Sequence, residues 1–144
     1  PHRIMGQYFL IQQNPSFITK KDNEKLRELI KVKRPHDTYD EALLHELKRG
    51  IIVDSKKIPA DVITMNSQVK FTEIESSSSL TYWLVFPQDA DISKNKISIL
   101  SPIGCGLLGY KVNDIIPVKT PTGEKMVKVE KIIHQPEAEG NYDL

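Results

Sequence analysis

The sequence predicts an α+β chain in which a short antiparallel helical hairpin precedes an antiparallel sheet carrying one short helix. Three observations predict it. Apolar residues recur at helical spacing between Thr19 and Arg49, bracketed by start and stop signals. From Val62 onward the period changes to strand-like, in short runs separated by Gly, Pro and Ser turns. Between two of those runs lies Ser101–Asp114, Ser-Pro-Ile-Gly-Cys-Gly-Leu-Leu-Gly-Tyr-Lys-Val-Asn-Asp, which reads as one or two helical turns and a glycine stop.

Residues 1–16 carry no clear signal and are left as an unassigned arm. Thr19 is placed to cap a first helix, with Asp22 three positions on as its reciprocal partner. Leu26, Leu29 and Ile30 form the apolar stripe, and Pro35 ends the helix. Thr38-Tyr39-Asp40-Glu41 reads as a second capping box, followed by Ala42, Leu43, Leu44 and Leu47 and a stop at Gly50. Two helices joined by a short loop pack antiparallel, so residues 17–50 are expected to form a hairpin, a short coiled coil. Residues 51–60 read as a connector.

Expected strands are Val62–Met65, Val69–Ile74, Leu80–Phe86, Ile97–Leu100, Ile115–Thr120 and Met126–Ile133. Pro121-Thr122-Gly123 reads as a hairpin turn. Within the short helix, Pro102 opens the first turn, and Ile103, Leu107 and Leu108 share one side. Gly109 stands where a left-handed cap is wanted.

The chain has 144 residues, 39% apolar and 27% charged, which suits one modest domain or a small domain with an appendage. A formal charge of +1 argues against a protein whose affinity comes from neutralising many phosphates. A single cysteine, Cys105, excludes an internal disulfide and a multi-cysteine zinc site, and its apolar neighbours suit a buried small hydrophobe. No run approaches the length of a membrane span and no secretory signal is evident, so the expected compartment is the cytoplasm.

Ile97-Ser98-Ile99-Leu100-Ser101-Pro102-Ile103-Gly104, Gly106-Leu107-Leu108-Gly109 and Ile115–Glu124 resemble the C-terminal domain of the bacterial Gre transcript-cleavage factors. Gln135-Pro136-Glu137-Ala138-Glu139-Gly140-Asn141-Tyr142 resembles the ending of the Rnk family, regulators of nucleoside diphosphate kinase that share the Gre domain. Asp61–Val69 points the same way, and the resemblance covers roughly residues 17–144. It implies an FKBP-like α+β domain over residues 61–144 and RNA polymerase as partner; the protein is expected to be a monomer. The resemblance implies no sequence-specific nucleic acid, membrane or cofactor.

In Gre factors a long coiled coil enters the secondary channel of the polymerase, where two acids at its tip help hold magnesium and activate water. Here Asp37 and Asp40 have i, i+3 spacing with Glu41 beside them, and Arg34 and His36 complete the tip. The same acids serve as helix caps, contacts to a partner, or metal ligands. Arm length argues against cleavage: about thirteen residues reach only about 20 Å. The expected protein is therefore no enzyme, and it binds polymerase without cutting RNA.

The loop matching Leu100-Ser101-Pro102 is implied to grip the channel rim. Ser101 and Pro102 match, whereas Leu100 stands where Gre factors commonly carry an acid. The basic run Lys31–Arg34 is either a solvated face or a steering charge. His2, His36, His45 and His134 share no ligand spacing. Trp83 reads as a core or sheet-face residue, and nothing suggests a prolyl-isomerase pocket. The glycines at 104, 106 and 109 lack the residues of a phosphate cradle.

Overall fold

A computed structural model describes residues 15–32 and 37–143. The chain enters as a short strand, β1 (Phe17–Thr19), followed at once by α1 (Lys20–Val32) and then α2 (Thr38–Arg49). After α2 comes β2 (Ile51–Val53), which pairs in parallel with β1. The first three residues of the expected connector therefore close the base of the two-helix arm.

Leu26, Ile30, Leu43 and Leu47 are at most 1% exposed, too complete a burial for two helices standing free. They belong to one core cluster with Ile63, Phe71, Leu84, Ile99, Leu107 and Val129. The arm is thus packed onto the sheet, and its apolar stripe is spent on that contact.

Strands β3 (Gln68–Glu73), β4 (Ser78–Val85), β5 (Lys96–Ser98), β6 (Ile115–Thr120) and β7 (Gly123–His134) form a five-stranded sheet in the order β5-β4-β3-β7-β6. The sheet is not wholly antiparallel as expected, because β5 runs parallel to β4. The segment between them makes two 3-10 turns, at Pro87–Asp89 and Ile92–Lys94, and carries the chain back before β5 starts. A crossover of that kind yields a parallel pair where a tight turn would not.

Val62–Met65, expected as a strand, is buried but irregular. Its backbone donors go elsewhere: Ile63 N–H to the Tyr110 carbonyl, Thr64 N–H to Ser67 Oγ and Met65 N–H to Asp22 Oδ2. Asn66 then turns the chain at φ 66°. With those donors committed, no ladder can form beyond the single bridge from Val62 to Lys111.

Strand β7 is long because it is bent. Its register against β3 slips twice, leaving Glu130 and Ile133 unpaired opposite the slips. The β6–β7 hairpin closes through Pro121 and Thr122, with Thr120 opposite Gly123, as the turn signal predicts. The remaining helix, α3 (Pro102–Leu107), lies against β6, and Gly109 beyond it adopts φ 86°. Only glycine takes that left-handed turn at no steric cost, which fixes where the helix stops. Among the described residues, no helix is long and apolar enough to cross a membrane.

Candidate functional site

The start of α2 is capped one residue earlier than its Thr-initiated pattern suggests. Asp37 is the N-cap: its Oδ1 accepts the Asp40 N–H at 2.9 Å, and Asp40 Oδ2 accepts the Asp37 N–H at 2.8 Å. The box is therefore Asp37 with Asp40, not Thr38 with Glu41. An aspartate accepts from the N3 amide as well as threonine does, and the shorter reach of Asp40 suits this spacing. Asp40 is fully buried, whereas Asp37 and Glu41 are exposed. The two carboxylates thus point back at backbone amides of their own helix start. Arg34 and His36 lie outside the described residues.

Ser101 closes the start of α3. Its Oγ accepts the Gly104 N–H at 3.1 Å and donates to the Ser98 carbonyl at 2.7 Å, which locks the turn that presents Pro102. Leu100 is half-buried; its N–H goes to Ser98 Oγ at 3.0 Å and its side chain packs against the core. Gly104 sits so close to Ser98 that a Cβ would collide with the Ser98 carbonyl oxygen and meet Ser101 Oγ at 2.9 Å.

The sequence treats the arm tip and the Ser-Pro turn as separate surfaces; in the structure α2 meets Pro102 across a cleft, whose lining does not include Asp37, Asp40, Glu41, Leu100 or Ser101. Thr38, Ala42 and His45 of α2 face Pro102, Gly106 and Val118 across a cleft of about 350 Å³. Cys105 lines it from beneath. Burial, reinforced by Glu46, pushes the Cys105 thiol up to about 12, so it stays protonated and serves as a small apolar residue. At one side Tyr110 Oη donates to the Glu46 carboxylate at 3.3 Å and accepts from Arg49, which ties α2 to the residues after α3. Burial first, and Glu46 next, raise the Tyr110 phenol.

A second polar cluster carries no sequence signal beyond a cap pattern. The Thr19 cap is present, with the Asp22 N–H donating to Thr19 Oγ1 at 3.0 Å. The Asp22 carboxylate crosses to the Met65 N–H at 3.1 Å instead of reciprocating. Burial, with Glu137 adding repulsion, raises it from 3.8 to about 6. Glu137 accepts from Thr64 Oγ1 at 2.7 Å, and Lys21 reaches the Tyr142 carbonyl at 2.7 Å. Gln135 donates to the carbonyls of both Pro59 and Val62. The C-terminal segment therefore binds α1 and the irregular 59–65 stretch together. Among the described residues, no group of three or more His, Cys, Asp or Glu side chains is placed to hold a metal ion.

Comparison with known proteins agrees with this architecture. The family described as "Transcription elongation factor, GreA/GreB, C-term" matches residues 58–134. The regulator of nucleoside diphosphate kinase of Escherichia coli K12 is 36% identical over 105 residues, covering 72% of this chain and 77% of that protein. Transcription elongation factor GreA of Clostridium botulinum strain Langeland is 38% identical over 86 residues, and the match spans only 54% of its length. The solved structure of the prokaryotic transcription elongation factor GreA/GreB from Nitrosomonas europaea superposes with a TM-score of 0.70 at 34% identity, over 85% of this chain and all of that one. With the short two-helix arm, the capped Ser-Pro turn and the mixed sheet already described, the chain belongs to the GreA/GreB C-terminal domain family and is a homologue of the Rnk regulators.

Proposed function

We propose that this protein is a non-catalytic transcription regulator that docks on RNA polymerase at the rim of the secondary channel and competes there with Gre-type factors. In this reading residues 61–144 are an FKBP-like anchor, residues 51–60 a connector that begins with β2, and residues 17–50, β1 with the α1–α2 pair, a short antiparallel hairpin lying at the channel mouth. Leu100, Ser101 and Pro102 form the docking turn, and Asp37, Asp40 and Glu41, with Arg34 and His36, the tip. The protein works as a cytoplasmic monomer without a cofactor. An effect on nucleoside diphosphate kinase would follow indirectly, through transcription.

One observation carries the non-catalytic part. Asp37 and Asp40 each accept the other's backbone amide, so helix capping accounts for two acids that the resemblance would otherwise offer to magnesium. Reach supports the same conclusion. The thirteen residues of α1 span about 20 Å, and the helix pair is packed on the sheet along its apolar stripe. The capped turn and its cleft support docking. They offer a rigid apolar surface with Pro102 at its edge, and rigid elements position contacts better than loops do.

A backtracked elongation complex tests the reading. Added alone, the protein should leave the RNA at full length, and added with an authentic Gre factor it should suppress cleavage. Shortened RNA with the protein alone would make it an active cleavage factor using Asp37 and Asp40. No effect in either arm, with another complex recovered from lysate, would make it a general interaction module.

A further inference from the structure

The face of the sheet turned away from the core carries a charge pattern that docking through Pro102 does not use. On β3 the alternation is clear: Val69 and Phe71 are buried, and Lys70 between them is exposed. Cross-strand partners share a face, so the register extends this outer side across the sheet. Lys70 pairs with Thr81 on β4 and Lys131 on β7. Thr72 pairs with Ser79 and Lys128. Gln68 pairs with Trp83 and His134, and Trp83 pairs in turn with Lys96. Lysines 70, 96, 128 and 131 therefore lie on one surface. Among the described residues, no carboxylate stands within ion-pair distance of any of them.

At one end of this surface the Trp83 and His134 rings lie 5.3 Å apart, tilted by 56°. They border an open cleft of about 280 Å³ shared with Asn66, Val85, Asp89 and Lys96. His134 is steadied by Glu139, 2.9 Å from its Nδ1. A net charge of +1 for the chain conceals this arrangement, in which Glu130 stands between Lys128 and Lys131 on β7 and Asp91 lies beside Lys96.

We infer that the outer sheet face binds single-stranded polynucleotide, RNA or DNA, with phosphates along Lys70, Lys131 and Lys128 and a base stacked at Trp83 and His134. A positive track beside an aromatic platform is the arrangement that holds single strands irrespective of sequence. Asp89 and Glu139 repel phosphate from the ring end, which leaves that end to the uncharged base. A duplex offers neither an unstacked base for the rings nor a groove wide enough for a five-stranded sheet. An acidic peptide would satisfy the lysines but leave the ring pair unused. This inference does not depend on polymerase docking.

Trp83 is the sole tryptophan, so its fluorescence reports on the surface directly. The full chain is titrated with homouridine RNA and homothymidine DNA of about 12 nucleotides, and with polyglutamate of equal charge. Fluorescently labelled oligonucleotides give the affinity by anisotropy. The expected result is quenching by at least one oligonucleotide and little by polyglutamate; the tighter of the two identifies the preferred polymer. The affinity should fall with salt at a log–log slope of about −2 to −3, near 0.7 for each of three or four phosphates. The K70E/K131E variant, both positions exposed, should weaken binding at least tenfold with an unchanged melting temperature. The inference is overturned by no binding at low salt, by binding that leaves Trp83 and the double variant unaffected, or by equal quenching with polyglutamate. None of these arms contains polymerase, so their failure leaves the docking proposal standing.

Discussion

Replacing Asp22 by Asn should stabilise the protein at neutral pH and flatten its pH dependence. Asp22 is 3% exposed and titrates near 6, against 3.8 for the ordinary side chain. Desolvation is the main cause and repulsion from Glu137 a further one. The Met65 amide, Thr19 and Lys25 pull the other way. A folded-state value above the unfolded one means that the folded chain holds an extra proton between about pH 4 and pH 6. Stability from this group is therefore complete below about pH 4, falls as pH rises to 6, and stays at its lower level above. The shift of about two units corresponds to about 3 kcal/mol. Asn keeps the shape and can accept the Met65 N–H as the protonated acid does, and the charged hydrogen bond it gives up is already contained in the shift. The gain at pH 7.5 is therefore up to about 3 kcal/mol, or roughly 6 to 12 °C in Tm. Urea or thermal unfolding followed by circular dichroism, for both chains from pH 4 to 8, supplies the test. The difference between them should grow by about 3 kcal/mol across pH 4 to 6, a window in which carboxylates not coupled to Asp22 cancel. A constant difference, or an Asn variant less stable at pH 7.5, would refute the reasoning.

The other predictions concern the docking turn and the arm. Gly104→Ala should cost more than about 2 kcal/mol, because the new Cβ meets backbone oxygen that cannot swing aside; chemical denaturation measures it. Ser101→Ala removes the cap of α3 and should cost about 1 kcal/mol, read in the same way. In the D37A/D40N double variant the loss of the capping box should lower stability by about 1 to 2 kcal/mol. That variant should leave Gre competition in the elongation-complex assay intact. Leu43→Ala, at a fully buried position shared by arm and sheet, should cost about 2 to 5 kcal/mol and unfold both in a single transition.

Local chemistry was the legible part of this sequence. The arm helices, the β6–β7 turn, the Ser-Pro start of α3 and the Gly109 stop follow from short-range patterns. Each is set by capping, periodicity or a left-handed backbone. What stayed hidden depends on residues distant in sequence. Asp22 has the look of a cap, and nothing near it announces that its carboxylate will take the Met65 amide, 43 positions on. The expected strand at Val62–Met65 fails for a related reason, because the Ile63, Thr64 and Met65 amides donate to Tyr110, Ser67 and Asp22 instead of to a ladder. The parallel pairing of β5 was hidden because periodicity specifies a strand and not its direction. Asp37 displaced Thr38 as the cap because several good capping residues stand side by side, and propensity does not choose among neighbours. Of the site, the Ser-Pro turn was legible from resemblance and cap chemistry. Its meeting with α2 across one cleft required the packed core.

The central claim is that a rigid anchor holds RNA polymerase while its short arm performs no chemistry. Equilibrium binding of the labelled protein to purified bacterial RNA polymerase tests it most directly. Wild type should bind saturably and be displaced by a Gre factor, and Pro102→Glu should bind at least tenfold more weakly with its fold intact. Failure of the wild type to bind, or binding that Gre factors do not displace and Pro102→Glu does not weaken, would contradict the account.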